Sequence, residues 1–175
     1  MSIAQQLLDE FAVQAPVTRR FLERLPEDRL TWKPHEKSRS AGQLALHLAA
    51  VPGAVVQFVQ TDSGQAPDFA NGPQPATCSE ILATLDESIA SVRTLLPKFD
   101  DAAMHANFRI MIGEQEIMAQ PRQQFLRDIM LNHWYQHRGQ FSVYLRLLGV
   151  PVPASWGPSA DEAPPFPKRR ETAAA

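Results

Sequence analysis

Residues 131–145, LNHWYQHRGQFSVYL, place two histidines on what is otherwise the apolar side of a helix. His133 and His137 are four residues apart, so their side chains lie one helical turn apart on the same face. The other members of this stripe are apolar or aromatic: Leu126, Met130, Phe141, Tyr144 and Leu148. The spacing therefore predicts a helix that turns two imidazoles toward the core of the protein.

Three further segments share this apolar periodicity, so the sequence predicts four helices, over residues 2–25, 40–61, 77–99 and 121–148. Ser2 is a candidate N-cap of the first helix. Pro16 and the pair Pro52–Gly53 lie inside the first two helices and are candidate kinks. The fourth helix is expected to stop at Gly149 and Pro151.

The connections between these helices suggest how they are arranged. Residues 26–40 are predicted as a loop and residues 61–76 as a linker, because both are rich in turn-forming residues. In residues 101–120 the apolar side chains alternate, which predicts a short β-hairpin around Gly113 between helices 3 and 4. The linker is long enough to run back along the molecule. The sequence therefore predicts an all-α four-helix bundle, and the linker permits up-down-down-up topology without excluding other paths.

The chain of 175 residues is expected to form one bundle domain over residues 1–160, followed by a proline-rich, flexible tail over residues 161–175. Its net charge of −2 offers no electrostatic basis for binding nucleic acid or an anionic membrane. A single cysteine, Cys78, and an N-terminus unlike a signal peptide predict a cytoplasmic protein. No apolar run approaches the roughly 20 residues that span a bilayer.

A third histidine, His47, is the one polar member of the apolar stripe on the second helix. Alone, it would more often be a core histidine with its own hydrogen-bond partner, and so would an isolated pair such as His133 and His137. Three imidazoles on the inward faces of two helices instead favour a site for zinc, nickel, copper or iron. Three protein ligands would leave positions open for water or substrate, as in catalytic metal sites.

The remaining polar candidates have other predicted roles. His35 and His105 fall in polar surroundings and are assigned to the surface. Gln140 lies one turn beyond His137, within reach of a ligand histidine or of bound water. Arg138 is rotated about 100° from His137, which fits the helix surface or an interface. Cys78 has no histidine or CxxC partner nearby and is interpreted as structural or exposed.

Three blocks of the sequence resemble the DinB/YfiT-like superfamily of metal-dependent enzymes. They are LPEDRLTWKPHEKSRSAGQLALHLA (25–49), NHWYQHRGQFSVYLRLLGV (132–150) with its HxxxHRGQ core, and PVPASWGPSADE (151–162), where Trp156 takes the place of an aromatic residue. The resemblance implies an up-down-down-up bundle and a divalent metal, zinc or nickel, held by His47, His133 and His137. It also implies a homodimer.

The resemblance leaves the reaction open. It implies either a low-molecular-weight-thiol S-transferase, in which a thiol is held as thiolate, or a hydrolase, in which water is activated by the metal. A small-molecule substrate is expected in both cases. Asp128 and Glu116 are candidate general bases by their position in the chain. The alternative is a non-catalytic helical bundle that binds metal or a small ligand.

Overall fold

A computed structural model describes residues 1–67 and 72–163 and shows a mostly helical protein with a small β-sheet. The long helices are α1 (Ile3–Leu22), α2 (Ala41–Phe58), α3 (Cys78–Leu95) and α6 (His133–Leu147). The short helices are α4 (Asp101–His105) and α5 (Arg122–Phe125). The strands are β1 (Ser63–Gln65), β2 (Asn107–Ile112) and β3 (Gln115–Pro121).

The helix boundaries follow from local capping. The predicted cap Ser2 is confirmed, since its side chain accepts a hydrogen bond from the backbone N–H of Gln5. Ser40 and Gln43 form a reciprocal capping box at the start of α2. Three helices end earlier than predicted: α1 stops at Leu22, α2 stops at Phe58, and α3 gives way to a 3₁₀ turn at Leu96–Lys98.

The predicted fourth helix contains a π-helical segment, Leu126–Asn132, between α5 and α6. At its end the backbone N–H of His133 donates to the carbonyl oxygen of Asp128, five residues earlier. Such wide turns are frequent at functional sites because they change which face a following residue occupies. Here the π-helical segment ends directly before the first of the two histidines on α6.

The predicted hairpin is present, but it is part of a larger sheet. Strands β2 and β3 pair antiparallel around Gly113, whose φ of +59° is one that residues with a Cβ rarely adopt. Strand β1 adds to β2 in parallel, with Ser63 opposite Arg109. The prediction of a simple hairpin was therefore incomplete, because β1 lies inside the segment 61–76 that was predicted as a linker.

Helix α2 is the central helix of the core, and it packs against both α3 and α6. It runs through Pro52 and Gly53 without interruption. A Cβ on Gly53 would lie 2.6 Å from the Cα of Ser88, so glycine permits the close approach of α3. By length and composition α2 would also suit a membrane span, but 67% of it is buried inside this fold.

The chain beyond α6 is held against the helices by ion pairs. Asp161 pairs with Arg146 of α6, and Glu162 pairs with Arg20 and Arg24 at the end of α1. Of the flexible tail predicted over residues 161–175, residues 164–175 lie outside the described part of the chain.

Candidate metal centre

His47 of α2 and His133 and His137 of α6 converge on one point, as the sequence predicted. The Nε2 atom of His133 lies 3.2 Å from Nε2 of His47 and 3.0 Å from Nε2 of His137. The ligand atoms of all three residues lie within 4.8 Å of one another. All three side chains are half-buried, so the cluster is neither sealed in the core nor fully open.

A hydrogen bond beside the cluster brings the two helices together. The indole N–H of Trp134 donates to the carbonyl oxygen of Leu48, at 2.8 Å. Each of these residues directly follows a histidine of the cluster, so this bond places α2 and α6 in register at the site. Trp134 is fully buried and stacks on Phe11 of α1, with ring centroids 5.2 Å apart. The histidines are therefore presented by rigid, well-packed helices.

The separation of the nitrogens fits a divalent cation. Zinc–imidazole bonds of about 2.0–2.1 Å in tetrahedral geometry place ligand nitrogens about 3.3 Å apart. The two measured separations, 3.2 and 3.0 Å, are close to that value. The rings are also nearly perpendicular to one another, at 84–86°, so they approach a common centre from different directions.

The electrostatics favour neutral rings, which is the form that binds metal. Burial lowers the pKa of His47 from 6.5 to about 3, with smaller contributions from the charge on Arg39 and from the other two histidines. Burial also lowers the pKa of His133 and of His137, and the nearby charge of Arg39 acts in the same direction. These lowered pKa values favour the neutral form of all three imidazoles near neutral pH, with one N–H on each ring.

Hydrogen bonds between neutral rings cannot satisfy every nitrogen–nitrogen contact in this cluster. The Nε2 atom of His133 faces two other imidazole nitrogens, yet a neutral ring offers at that atom either one proton or one lone pair. It can complete only one of the two contacts well. A cation at the centre would accept a lone pair from each ring, so the donor set fits a divalent metal ion.

The lowered pKa of His47 has a consequence for stability. Its pKa is below the ordinary value of 6.5 in the folded protein, so acid protonates the unfolded chain first and favours unfolding. We expect the free energy of unfolding of metal-free protein to fall as the pH drops from about 6.5 toward 3. Urea titrations across this range should show a weaker pH dependence for His47→Leu, whereas identical dependences would contradict the assignment.

The structure also locates the other polar candidates. His35 and His105 are exposed, as predicted, and His105 contacts Gln123 rather than the cluster. Gln140 meets the expectation of reaching a ligand histidine, since its side-chain oxygen lies 3.0 Å from Nδ1 of His137. The thiol of Cys78 donates to the carbonyl oxygen of Leu25, and burial raises its pKa, which fits a structural role.

Arg138 belongs to the interior and not to the helix surface. Its side chain is only 6% exposed, donates to the hydroxyl of Thr18 on α1 and lies over the ring of Tyr135. The guanidinium thus holds α6 against α1, on a different side of α6 from the ring nitrogens of the cluster. The sequence correctly placed Arg138 about 100° around the helix from His137. It did not show that α1 packs against that side of α6.

Neither candidate general base contacts the cluster within the described residues. The carboxylate of Asp128 accepts hydrogen bonds from Gln124, and Glu116 is exposed on β3. A residue that sequence analysis did not single out is Arg39, whose charge influences all three histidines. The sequence did contain a signal for Arg39. It directly precedes Ser40, the N-cap of α2, and the start of this helix lies two helical turns before His47.

Two surface cavities lie away from the histidines. One, of about 460 Å³, is lined by the sheet residues Asn107, Arg109 and Glu116 and by Asp62. The other, of about 260 Å³, lies between α1 and the segment around Gln123 and Arg127. Neither includes a member of the three-histidine cluster.

Comparisons with known proteins identify relatives of this chain. The sequence model of the DinB family matches residues 1–169. The protein YrdA of Bacillus subtilis, described as uncharacterized, is 26% identical over 163 residues, which cover 90% of this chain and 92% of YrdA.

Two solved structures have a similar fold. A DinB-like protein from Bacillus cereus has a TM-score of 0.67 at 20% identity, covering 86% of this chain and 96% of that one. The DinB-like protein YjoA from Bacillus subtilis has a TM-score of 0.63 at 19% identity, covering 82% of this chain and 92% of that one.

Proposed function

This chain belongs to the DinB family, and from that premise we propose that it is a metal-dependent enzyme whose His47, His133 and His137 bind one divalent cation, zinc or nickel. The observation that carries the proposal is the convergence of one ring nitrogen from each histidine, all within 4.8 Å of one another. Burial keeps the rings neutral, and two rigid helices hold them in place. A site with three protein ligands leaves coordination positions for a substrate.

The reaction that we propose is thiol-dependent S-transfer or hydrolysis of a small-molecule substrate. A bound cation would supply Lewis acidity, which favours the thiolate form of a thiol or the ionised form of water. The histidines contribute lone pairs and take no proton near neutral pH, because their pKa values are lowered. The positive charge of Arg39, which lowers the pKa of all three rings, would favour the binding of an anionic group near them.

A second candidate is a non-catalytic bundle that binds metal or a small ligand. The observation that favours it is the position of the two cavities described above, neither of which is lined by the histidines. The bases predicted from sequence also make no contact with the cluster in the described part of the chain. In an enzyme, the substrate would have to reach the histidines by a route other than these two cavities.

The test is metal analysis of the purified protein, followed by activity screens of protein loaded with that metal. Thiol–electrophile pairs would report S-transfer, and ester and amide substrates would report hydrolysis. Stoichiometric metal with turnover that disappears in His137→Ala would support the enzyme. Stoichiometric metal with no turnover on either panel would support a metal-binding bundle. Absence of metal would contradict the enzyme and the metal-binding bundle, and would leave a bundle that binds a small ligand.

We also propose that the four long helices form an up-down-down-up bundle. The support is their contact pattern, in which α2 packs against α3 and α6 while α1 contacts the same two helices. Helix α4 and strands β2 and β3 lie in the connection between α3 and α5, and β1 lies in the connection between α2 and α3, outside this set. We keep the cytoplasm as the proposed location, supported by the single cysteine.

We expect the protein to be a homodimer. Supporting observations are the exposed apolar side chains Val143 (55%) and Leu147 (59%), one turn apart on α6, and the open space beside Gly139 on the same helix. No neighbour among the residues that the structure describes explains glycine there, although glycine weakens a helix interior by about 1 kcal/mol relative to alanine. Light scattering at micromolar concentration should give twice the chain mass of 19.5 kDa. A monomer at that concentration would contradict the expectation.

A further inference from the structure

Gln140 is the polar partner of the cluster on the side away from the converging nitrogens. It follows His137 by three residues on α6, and its side-chain oxygen lies 3.0 Å from Nδ1 of that ring. An amide oxygen can only accept a hydrogen bond, so Nδ1 of His137 must carry the ring proton. In a neutral imidazole the lone pair then lies on Nε2, the atom that faces His133.

This arrangement distinguishes His137 from the other two rings. Within residues 1–67 and 72–163, it is the one histidine of the cluster whose Nδ1 has a hydrogen-bond partner. The protonated nitrogen of an imidazole is set by the hydrogen bond that the other nitrogen makes. The tautomers of His47 and His133 are not fixed in this way, whereas that of His137 is fixed in the form that can bind a cation.

We propose that Gln140 is a positioning residue that sets the tautomer and orientation of His137 and thereby prepares the cluster for a divalent cation. The inference rests on the proposed metal-binding function. Gln140 acts through His137 and does not itself bind the cation. Residues that orient a ligand histidine in this way commonly contribute 10–100-fold to metal affinity.

The chain provides a matched control. Gln136 is also a glutamine on α6, is also exposed, and directly precedes His137 in the sequence. No hydrogen bond joins its side chain to the cluster in the part of the chain that the structure describes. Replacing either glutamine by leucine removes the same polar group from the same helix, so a general effect of the substitution would appear in both variants.

The experiment compares wild-type protein with Gln140→Leu, Gln140→Glu and Gln136→Leu. Nitrogen-15 NMR of the ring nitrogens in metal-free protein reports which nitrogen of His137 is protonated, and competition with a chromophoric chelator gives the zinc Kd. We expect wild-type His137 to be protonated on Nδ1. Gln140→Leu should shift the proton toward Nε2 and weaken zinc binding by about 10–100-fold.

The conservative variant separates positioning from a structural effect. Glutamate offers an acceptor of the same reach and greater strength, so Gln140→Glu should keep the Nδ1 proton and preserve zinc affinity. Gln136→Leu should match wild type in both measurements. A proton on Nε2 of wild-type His137, or unchanged zinc affinity in Gln140→Leu, would overturn the role of Gln140 and leave the metal site standing. If wild-type protein bound no zinc or nickel, the proposed function would fail and this inference with it.

Discussion

Replacing any one of His47, His133 and His137 by alanine should reduce bound divalent metal from about one ion per chain to nearly none. The reason is geometric, since each variant keeps two of the three nitrogens that now lie within 4.8 Å of one another. The helices should persist, because the buried apolar residues that form the core do not include the histidines. Elemental analysis after dialysis measures the metal, and circular dichroism measures the helices.

Two other histidines serve as controls for this prediction. His35→Ala and His105→Ala remove exposed imidazoles, so both variants should retain wild-type metal content. Full occupancy in all three cluster variants would show that the metal is bound elsewhere. Loss of metal together with loss of helicity would instead identify the ion as structural, as in small domains that fold only with zinc.

The second large effect is expected at Arg122, whose side chain is only 3% exposed. Its guanidinium donates to the carbonyl oxygens of Val59, Thr61 and Ala103 and to the carboxylate of Asp62. One side chain therefore joins the end of α2, the approach to β1 and helix α4. Arg122→Met should lower the free energy of unfolding by about 1–3 kcal/mol, since it leaves the carbonyl oxygen of Val59 without its buried donor and removes three part-buried hydrogen bonds.

Urea denaturation of metal-free protein measures this loss of stability without a contribution from metal binding at the histidines. Arg109→Ala is the matched control, because Arg109 is exposed on β2 and its loss should change stability by about 0.5 kcal/mol or less. Arg122→Lys should lie between the two variants, since lysine keeps the charge and loses the planar fork of donors. A loss below about 1 kcal/mol in Arg122→Met would contradict the role assigned to Arg122.

The cluster was predictable because its signal is periodic. His133 and His137 occupy one face of α6, and His47 occupies the apolar stripe of α2, so helical spacing alone placed all three toward the interior. Gln140 was predictable for the same reason. The convergence of His47 with the pair was a stronger claim, and it depended on α2 and α6 packing together beside Trp134 and Leu48.

Other features leave no comparable signal in the sequence. Strand β1, with the sequence Ser-Gly-Gln, has no strand propensity, and its pairing is made by the backbone of β2. Arg122 follows Pro121, a context that suggests an exposed first turn of a helix and not a buried guanidinium. The π-helical segment depends on hydrogen-bond offsets in the backbone, which the side chains of residues 126–132 do not reveal.

The parallel pairing of β1 with β2 also bears on the order in which the protein folds. The β2–β3 hairpin joins neighbours in the chain, so its formation costs little loop-closure entropy. Strand β1 can join only when residues 63–65 meet residues 109–111, with the whole of α3 in the intervening crossover. We therefore expect the sheet to be completed late, as a contact of high sequence separation. Arg122, which reaches back from the far end of the hairpin to Thr61 and Asp62, closes that long loop.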